Sequence, residues 1–335
     1  MPEEKFARVR RADSQGVVSR GITMVLDRLS GLVKEEFEQV SDSVDIVEIG
    51  WGLPLVWKED AIASRIKFYT KHGIRVSMSG TLLEYSVFQN HTESILSKAK
   101  RMGFSIIEIS DGIIDLTVEQ KVKLAKLVKS KGFEYLVAVG KKDPSAQLSL
   151  PETISQIDSA LSLDPFKVVL EGRERGRGVG IYDDNGDIKW SMLRSIAKSF
   201  DYKNIIFEAP SEAQQTALIS EFGSDVNLGN VALGSIAALQ SERRGLRFDT
   251  FGINRPDEEL VGGPSLKFVL FVVRHYQPID QKEIASLTQL PRRTVQKAVE
   301  YLKSKQLITE HPSFEDRRSK VYRTPSATPI GRARH

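Results

Sequence analysis

Eight short apolar runs recur along this chain with helix-length segments between them: Ile22 to Leu26, Ile46 to Ile49, Ile74 to Met78, Ile106 to Ile109, Leu136 to Val139, Val168 to Leu170, Ile205 to Phe207 and Val226 to Leu228. Short runs of aliphatic and β-branched residues bounded by turn residues read as buried strands. Parallel strands need crossovers of about a dozen residues or more, and the spacing provides them. The pattern predicts an α/β fold, a (β/α)8 TIM barrel, over residues 20–252. An open doubly wound sheet is the alternative, but it usually shows a Gly-rich turn after its first strand, and Asp27-Arg28-Leu29 is not one.

Polar residues stop these runs. Asp27 ends the first, Gly50-Trp51-Gly52 the second, Gly80-Thr81 the third, Glu108 to Asp111 the fourth, Lys141 the fifth, Glu171 with Arg173 the sixth, Glu208 the seventh, and Asn227 with Asn230 the eighth. In such barrels the C-terminal strand ends converge on one mouth, where the chemistry lies. Strand alternation supports this reading, because Glu108 and Ser110 share one face while Ile107 and Ile109 share the other. Glu108, Asp111, Glu171 and Glu208 cannot all be ionised around one cavity without a counter-charge. A divalent cation resolves the conflict, and oxygen donors without cysteine favour Mg2+ over zinc. Pairing with Arg173, Arg175 or Arg177 in salt bridges is the competing explanation.

The loop Glu171-Gly172-Arg173-Glu174-Arg175-Gly176-Arg177-Gly178 is cationic and glycine-spaced, which suits an anionic ligand. Arg173 and Arg177 are its candidate anion contacts, with Asp27, Thr81, Asn227 and Asn230 as further substrate or phosphate contacts. Of Arg243, Arg244 and Arg247, on or just after the last barrel helix, one could turn inward while most are expected to face solvent. The five histidines, at 72, 91, 275, 311 and 335, stand at no strand end, so acid-base work falls to lysine or carboxylate. Two lysines follow the fifth run after Gly140. The simple reading is a solvated loop; the company of the other strand ends argues for a role in the site.

The net charge of +4 is uneven: residues 261 to 335 carry 6 Lys and 8 Arg against 6 acidic residues, a net +8, which leaves −4 for residues 1 to 260. Gly and Pro punctuate a linker at 253–264. Three helical segments and a basic hairpin then predict a small winged helix-turn-helix domain at 265–324, with Arg292, Arg293, Thr294, Arg317, Arg318 and Lys320 as DNA contacts. Residues 1–19 form a polar extension and 325–335 a tail whose composition suits disorder. The absence of cysteine excludes disulfides and thiolate chemistry. No apolar run suits a membrane span or a secretory signal, so a cytoplasmic protein without membrane association is expected.

The segments Arg20-Gly21-Ile22-Thr23, Gly50-Trp51-Gly52, Gly80-Thr81-Leu82, Glu108-Ile109-Ser110-Asp111-Gly112, Val139-Gly140-Lys141-Lys142, Glu171-Gly172-Arg173-Glu174, Phe207-Glu208-Ala209-Pro210 and Arg243-Arg244-Gly245-Leu246-Arg247 resemble, in order, those of the phosphosulfolactate synthase family. The resemblance implies a Mg2+-dependent lyase of archaeal type that adds sulfite to phosphoenolpyruvate in coenzyme M biosynthesis. It further implies Lys141 as the proton donor, with Arg173 in the catalytic set, and a homo-oligomer is expected. The family pattern has Lys where Glu48 stands, Gly-Gly at Ser79-Gly80 and Glu at Ala138; these departures bear on substrate identity more than on fold. A homologue acting on a related phosphorylated or enolpyruvyl acid therefore stays open. So do a DNA-binding regulator whose barrel senses a small anion and a barrel used as a scaffold.

Overall fold

The structure, a computed structural model, describes residues 21–29, 32–173, 175–250, 264–305, 307–312 and 320–323. The N-terminal extension, nearly all of the linker, Arg317, Arg318 and the tail lie outside the described residues. The chain divides into two compact units, Met1–Ile253 and Asn254–His335.

In the first unit eight parallel strands close into a barrel: β1 (Thr23–Asp27), β2 (Ile46–Ile49), β3 (Arg75–Met78), β4 (Ile106–Ile109), β5 (Glu134–Val139), β6 (Lys167–Leu170), β7 (Ile205–Glu208) and β8 (Leu228–Ala232), with β8 pairing back to β1. Helices fill the crossovers, and three of them open on capping boxes, Thr117 with Gln120, Ser149 with Glu152 and Ser211 with Gln214. The eighth strand starts two residues later than the apolar run suggested. Gly229 and Asn230 break the apolar pattern, and the register shifts between Thr23 and Val25 where β8 passes Asn230, whose φ is +55°.

Strand parity sorts the side chains. Met24, Ile46, Ile106, Leu136, Ala138, Val169 and Ile206 fill the lumen, while their neighbours Val25, Val47, Ile107, Val137, Val168 and Phe207 pack outward in the helix-facing core. The next lumen-facing positions toward the mouth are Glu48, Ser77, Glu108, Gly140, Glu171 and Glu208.

The opposite end is sealed by a network. Arg243 is 2 % exposed; its Nη1 donates to the carbonyls of Ser224 and Val226, and its Nη2 to that of Ile22. Arg243 is thus a buried tie between β1 and β8, the one of the three arginines that turns inward. Asn227 belongs to the same floor: its Oδ1 accepts from Ile22 N–H at 2.8 Å, and its Nδ2 donates to the carbonyls of Lys203 and Ile205. It precedes β8 and lies at the strand starts, so the expected phosphate contact there is overturned. Gly21 is required in this floor, because a Cβ would sit 2.2 Å from the Val226 carbonyl oxygen.

The second unit has helices Pro264–Tyr276, Gln281–Thr288 and Arg292–Ser304 and an antiparallel sheet of β9 (Ile279–Asp280), β10 (Thr309–Pro312) and β11 (Lys320–Arg323) in the order β10-β11-β9. Val295, Ala298, Val299 and Leu302, at helical spacing, bury one face of the last helix against Val269, Val273 and Ile284. Among the described residues no helix is long and apolar enough to cross a membrane.

Candidate active site

Glu48, Glu108, Glu171 and Glu208 project from β2, β4, β6 and β7 into the mouth, each at most 8 % exposed. Among the described residues Lys142 reaches them. Lys142 Nζ lies 3.5 Å from Glu171 Oε2 and donates to Thr81 Oγ1 at 3.0 Å. Gly140 permits this arrangement: its φ is +130°, and a Cβ would sit 2.8 Å from Glu171 Cβ.

Backbone amides orient three of the acids. Glu108 Oε1 accepts from Gly80 N–H at 3.1 Å, Glu171 Oε1 from Arg173 N–H at 2.9 Å and Glu208 Oε2 from Gly172 N–H at 2.7 Å. These bonds favour charge, but burial opposes it more strongly. Burial first, then neighbouring carboxylates, raises Glu48 and Glu208 well above the ordinary range; burial likewise pushes Glu108 up to about 7. For Lys142 burial favours the neutral amine, yet Glu171, Glu108, Glu208 and Glu48 together outweigh it and hold the ammonium more firmly than usual. The cluster therefore combines a fixed cation with carboxyl groups able to carry protons near neutrality.

The strand-end residues expected in the site separate into two groups. Glu108, Glu171, Glu208 and Thr81 meet in the mouth. Arg173 lies at its edge: its Nη1 donates to the Lys142 carbonyl at 2.9 Å, and Asn230 Nδ2 donates to the Arg173 carbonyl at 2.8 Å, so these two hold the loop that carries Lys142 and Glu171. The rest go elsewhere. Asp27 faces outward by parity and is clamped by Arg65 and Tyr69. Asp111 pairs with Lys121 at 2.7 Å, away from the lumen acids. Arg177 is exposed. Lys141 turns away from the lumen; its Nζ donates to the Asp111 carbonyl and to Asp115, both at 2.7 Å.

Glu48 and Lys142 are the additions to the expected set. Both carry the lumen parity of their strands, Ile46-Glu48 on β2 and Ala138-Gly140-Lys142 running on from β5, and that signal was present in the sequence. Glu84 is a further buried acid, but a supporting one: it accepts from Ser110 Oγ and from the amides of Ile113 and Ile114, shaping the loop after β4.

The donor chemistry fits a hard divalent cation, since four buried carboxylates face one lysine. Each amide-bound acid also keeps a second oxygen. Among the described residues no three acidic or histidine side chains form a ready-made metal group. A cation here would therefore take one or two protein carboxylates and complete its shell from water and ligand oxygens, a common habit of Mg2+.

A closed parallel barrel with acids and a lysine gathered at its C-terminal strand ends is the layout of a barrel enzyme. Comparison with known proteins gives the family: residues 14–249 match the family model described as (2R)-phospho-3-sulfolactate synthase (ComA). The chain belongs to that family and is an enzyme of the lyase type. It is 39% identical over 239 residues to the phosphosulfolactate synthase of Methanocaldococcus jannaschii, covering 70% of this chain and 94% of the relative. The Methanothermobacter thermautotrophicus phosphosulfolactate synthase is 34% identical over 69% of this chain and 92% of its own length. That of Bacillus subtilis is 33% identical over 65% and 86%, respectively. Among solved structures, 3-hexulose-6-phosphate synthase from Salmonella typhimurium aligns with 68% of this chain and 100% of that chain, at 14% identity and a TM-score of 0.46.

Proposed function

We propose that the barrel catalyses Mg2+-dependent addition of sulfite to phosphoenolpyruvate, giving (2R)-phospho-3-sulfolactate for coenzyme M biosynthesis. The observation that carries this reading, beside the family relationship, is Lys142 held among the mouth carboxylates by Thr81 and Glu171. The sulfur lone pair attacks the terminal methylene carbon, and the alkene electrons move onto the neighbouring carbon and its carboxylate as an enediolate. Lys142 then delivers a proton to that neighbouring carbon, which completes the adduct without loss of the phosphate. One or two of Glu108, Glu171 and Glu208 would hold the Mg2+, which when bound supplies positive charge to oxygens that become more negative in the transition state. Protonation of those upshifted acids that do not hold the metal lowers the negative charge that two anionic substrates would otherwise meet.

The test is phosphoenolpyruvate consumption by the full chain with and without sulfite, in Mg2+ and in EDTA. Consumption that requires both sulfite and Mg2+ supports the reading; none with either sends the search to related phosphorylated or enolpyruvyl acids.

The second unit favours an additional reading as a winged helix-turn-helix that binds duplex DNA. Its helix Arg292–Ser304 opens with Arg292 and Arg293 exposed and Thr294 half-buried, and Lys320 at the start of β11 is exposed although paired with Glu310 at 2.5 Å. DNA binding that weakens steeply with salt, and weakens further on replacing Arg292 and Arg293 by Ala, is expected. Binding unchanged by those substitutions would remove that helix as the contact. DNA binding without turnover would instead favour a regulator whose barrel senses a small anion.

A further inference from the structure

The lumen parity of β1 runs from Met24 through Leu26 to Arg28. The register sets Leu26 beside Glu48, so Arg28 follows at the rim of the mouth, over the seam between β1 and β2. The two strand ends are close there, since a Cβ on Gly50 would lie 2.7 Å from Leu26 Cδ1. Just beyond, Trp51 and Gly52 both have positive φ, +57° and +64°, and Leu53 N–H closes the turn on the Gly50 carbonyl at 3.1 Å. That backbone is unfavourable for a residue as bulky as tryptophan. In it the Trp51 ring lies against the Arg28 guanidinium, whose central carbon is 4.5 Å from the ring centre. Both residues are exposed.

The cations around the mouth differ in what they are bound to. Lys142 is engaged by Glu171 and Thr81, and Arg173 Nη1 by the Lys142 carbonyl. Among the described residues no carboxylate or carbonyl engages the Arg28 side chain, although Glu48 stands on the neighbouring strand. Stacking uses one face of a guanidinium and leaves its N–H edge open, and that edge matches two oxygens of a phosphate or carboxylate. Its charge is permanent, so the group it selects is an anion. Of the anionic groups in the proposed reaction, the carboxylate belongs with the cation that the lumen acids hold, and sulfite must reach the terminal methylene carbon. The phosphate takes no part in the bond changes, so it can be held away from the reacting carbons, at the exposed rim and outside the acid-lined lumen.

We propose that Arg28 binds the phosphate of phosphoenolpyruvate at the β1–β2 rim, with Trp51 as the positioning residue that holds the guanidinium edge toward it. This assignment rests on the proposed addition reaction. The test is steady-state kinetics of Arg28→Gln, Arg28→Lys, Trp51→Leu and Trp51→Phe in the full chain. Arg28→Gln is expected to raise KM for phosphoenolpyruvate about tenfold or more, as loss of hydrogen bonds between charged groups predicts, with KM for sulfite within about twofold and kcat within about threefold. Arg28→Lys, which keeps the charge without the fork, is expected to raise it less. Trp51→Leu is expected to raise the same KM by a smaller factor, and Trp51→Phe, which keeps a ring, to restore most of it. A rise confined to the sulfite KM would give Arg28 to the nucleophile, and unchanged constants in Arg28→Gln would remove the contact; either overturns the proposal. Trp51→Leu without effect would remove Trp51 as the positioning residue.

If the parent chain shows no turnover, the addition reaction fails, and the contact is read separately by calorimetry with inorganic phosphate alone. Binding to the parent that weakens about tenfold or more in Arg28→Gln supports it. Equal binding to both proteins, or none to the parent, contradicts it. The melting temperatures of the Arg28 variants without ligand are expected to stay close to that of the parent, because the side chain is exposed and pairs with no acid.

Discussion

Asp27 and Glu48 are buried carboxylates on neighbouring strands, and they have opposite surroundings. Asp27 receives both Arg65 Nε and Nη2 at 2.8 Å, Tyr69 O–H at 2.6 Å and Leu29 N–H at 2.7 Å. Glu48 has none of these and shares its lumen with three more acids. The difference is one of parity: Asp27 points outward to the helix Glu59–Lys71, whereas Glu48 points inward. An acid whose lone pairs are all taken holds β1 to that helix, while an acid that accepts no hydrogen bond and feels only the nearby charges of Lys142 and the other acids can interact with a ligand.

The comparison breaks most visibly on stability. Asp27→Ala strands the Arg65 guanidinium and Tyr69, and is expected to cost about 3–5 kcal/mol in urea unfolding, with little change in turnover per folded molecule. Glu48→Gln should cost less than about 1 kcal/mol, because no partner is lost. Similar losses at both positions would remove the distinction.

A second difference lies in pH dependence. Glu108 ionises near 7 in the fold against an ordinary 4.5, so between these values the unfolded chain loses its proton first. Stability is therefore expected to fall as pH rises from about 4.5 to about 7, by up to about 3 kcal/mol from this group, and then to level off. Glu108→Gln should flatten that fall in melting temperature against pH, and its amide oxygen can still accept from Gly80. An unchanged slope would mean that Glu108 is ionised in the fold throughout.

A smaller effect is expected at Thr81. Thr81→Val removes the hydroxyl that receives Lys142, and should lower turnover about tenfold or less with stability within about 0.5 kcal/mol of the parent. A loss of stability without loss of turnover would make Thr81 part of the scaffold.

The barrel was legible in the sequence because periodicity reports burial directly: seven of the eight strands lie on the apolar runs that announced them. The eighth was displaced because Gly229 and Asn230 interrupt its apolar pattern, and that displacement put Asn227 at the wrong end of the barrel. Glu108, Glu171 and Glu208 were legible for the same reason, as lumen-parity residues at strand ends. The lysine that reaches the lumen acids is the neighbour of the one expected, although the alternation that selected Glu108 also runs from Ala138 through Gly140 to Lys142. Asp27 had the opposite problem, since a strand-end acid looks functional until Arg65 and Tyr69, distant in sequence, are seen to close around it. Which of Arg243, Arg244 and Arg247 turns inward was hidden too, because the partners of Arg243 are backbone carbonyls, which no residue pattern marks.

The central claim is that the lysine acting in the mouth is Lys142. It is tested most directly by measuring sulfite-dependent phosphoenolpyruvate consumption for Lys141→Met and Lys142→Met side by side, each checked for folding. The account predicts a loss of about 10³-fold or more for Lys142→Met, with Lys141→Met within about tenfold of the parent. The reverse order, with turnover surviving Lys142→Met and lost in Lys141→Met, would contradict it.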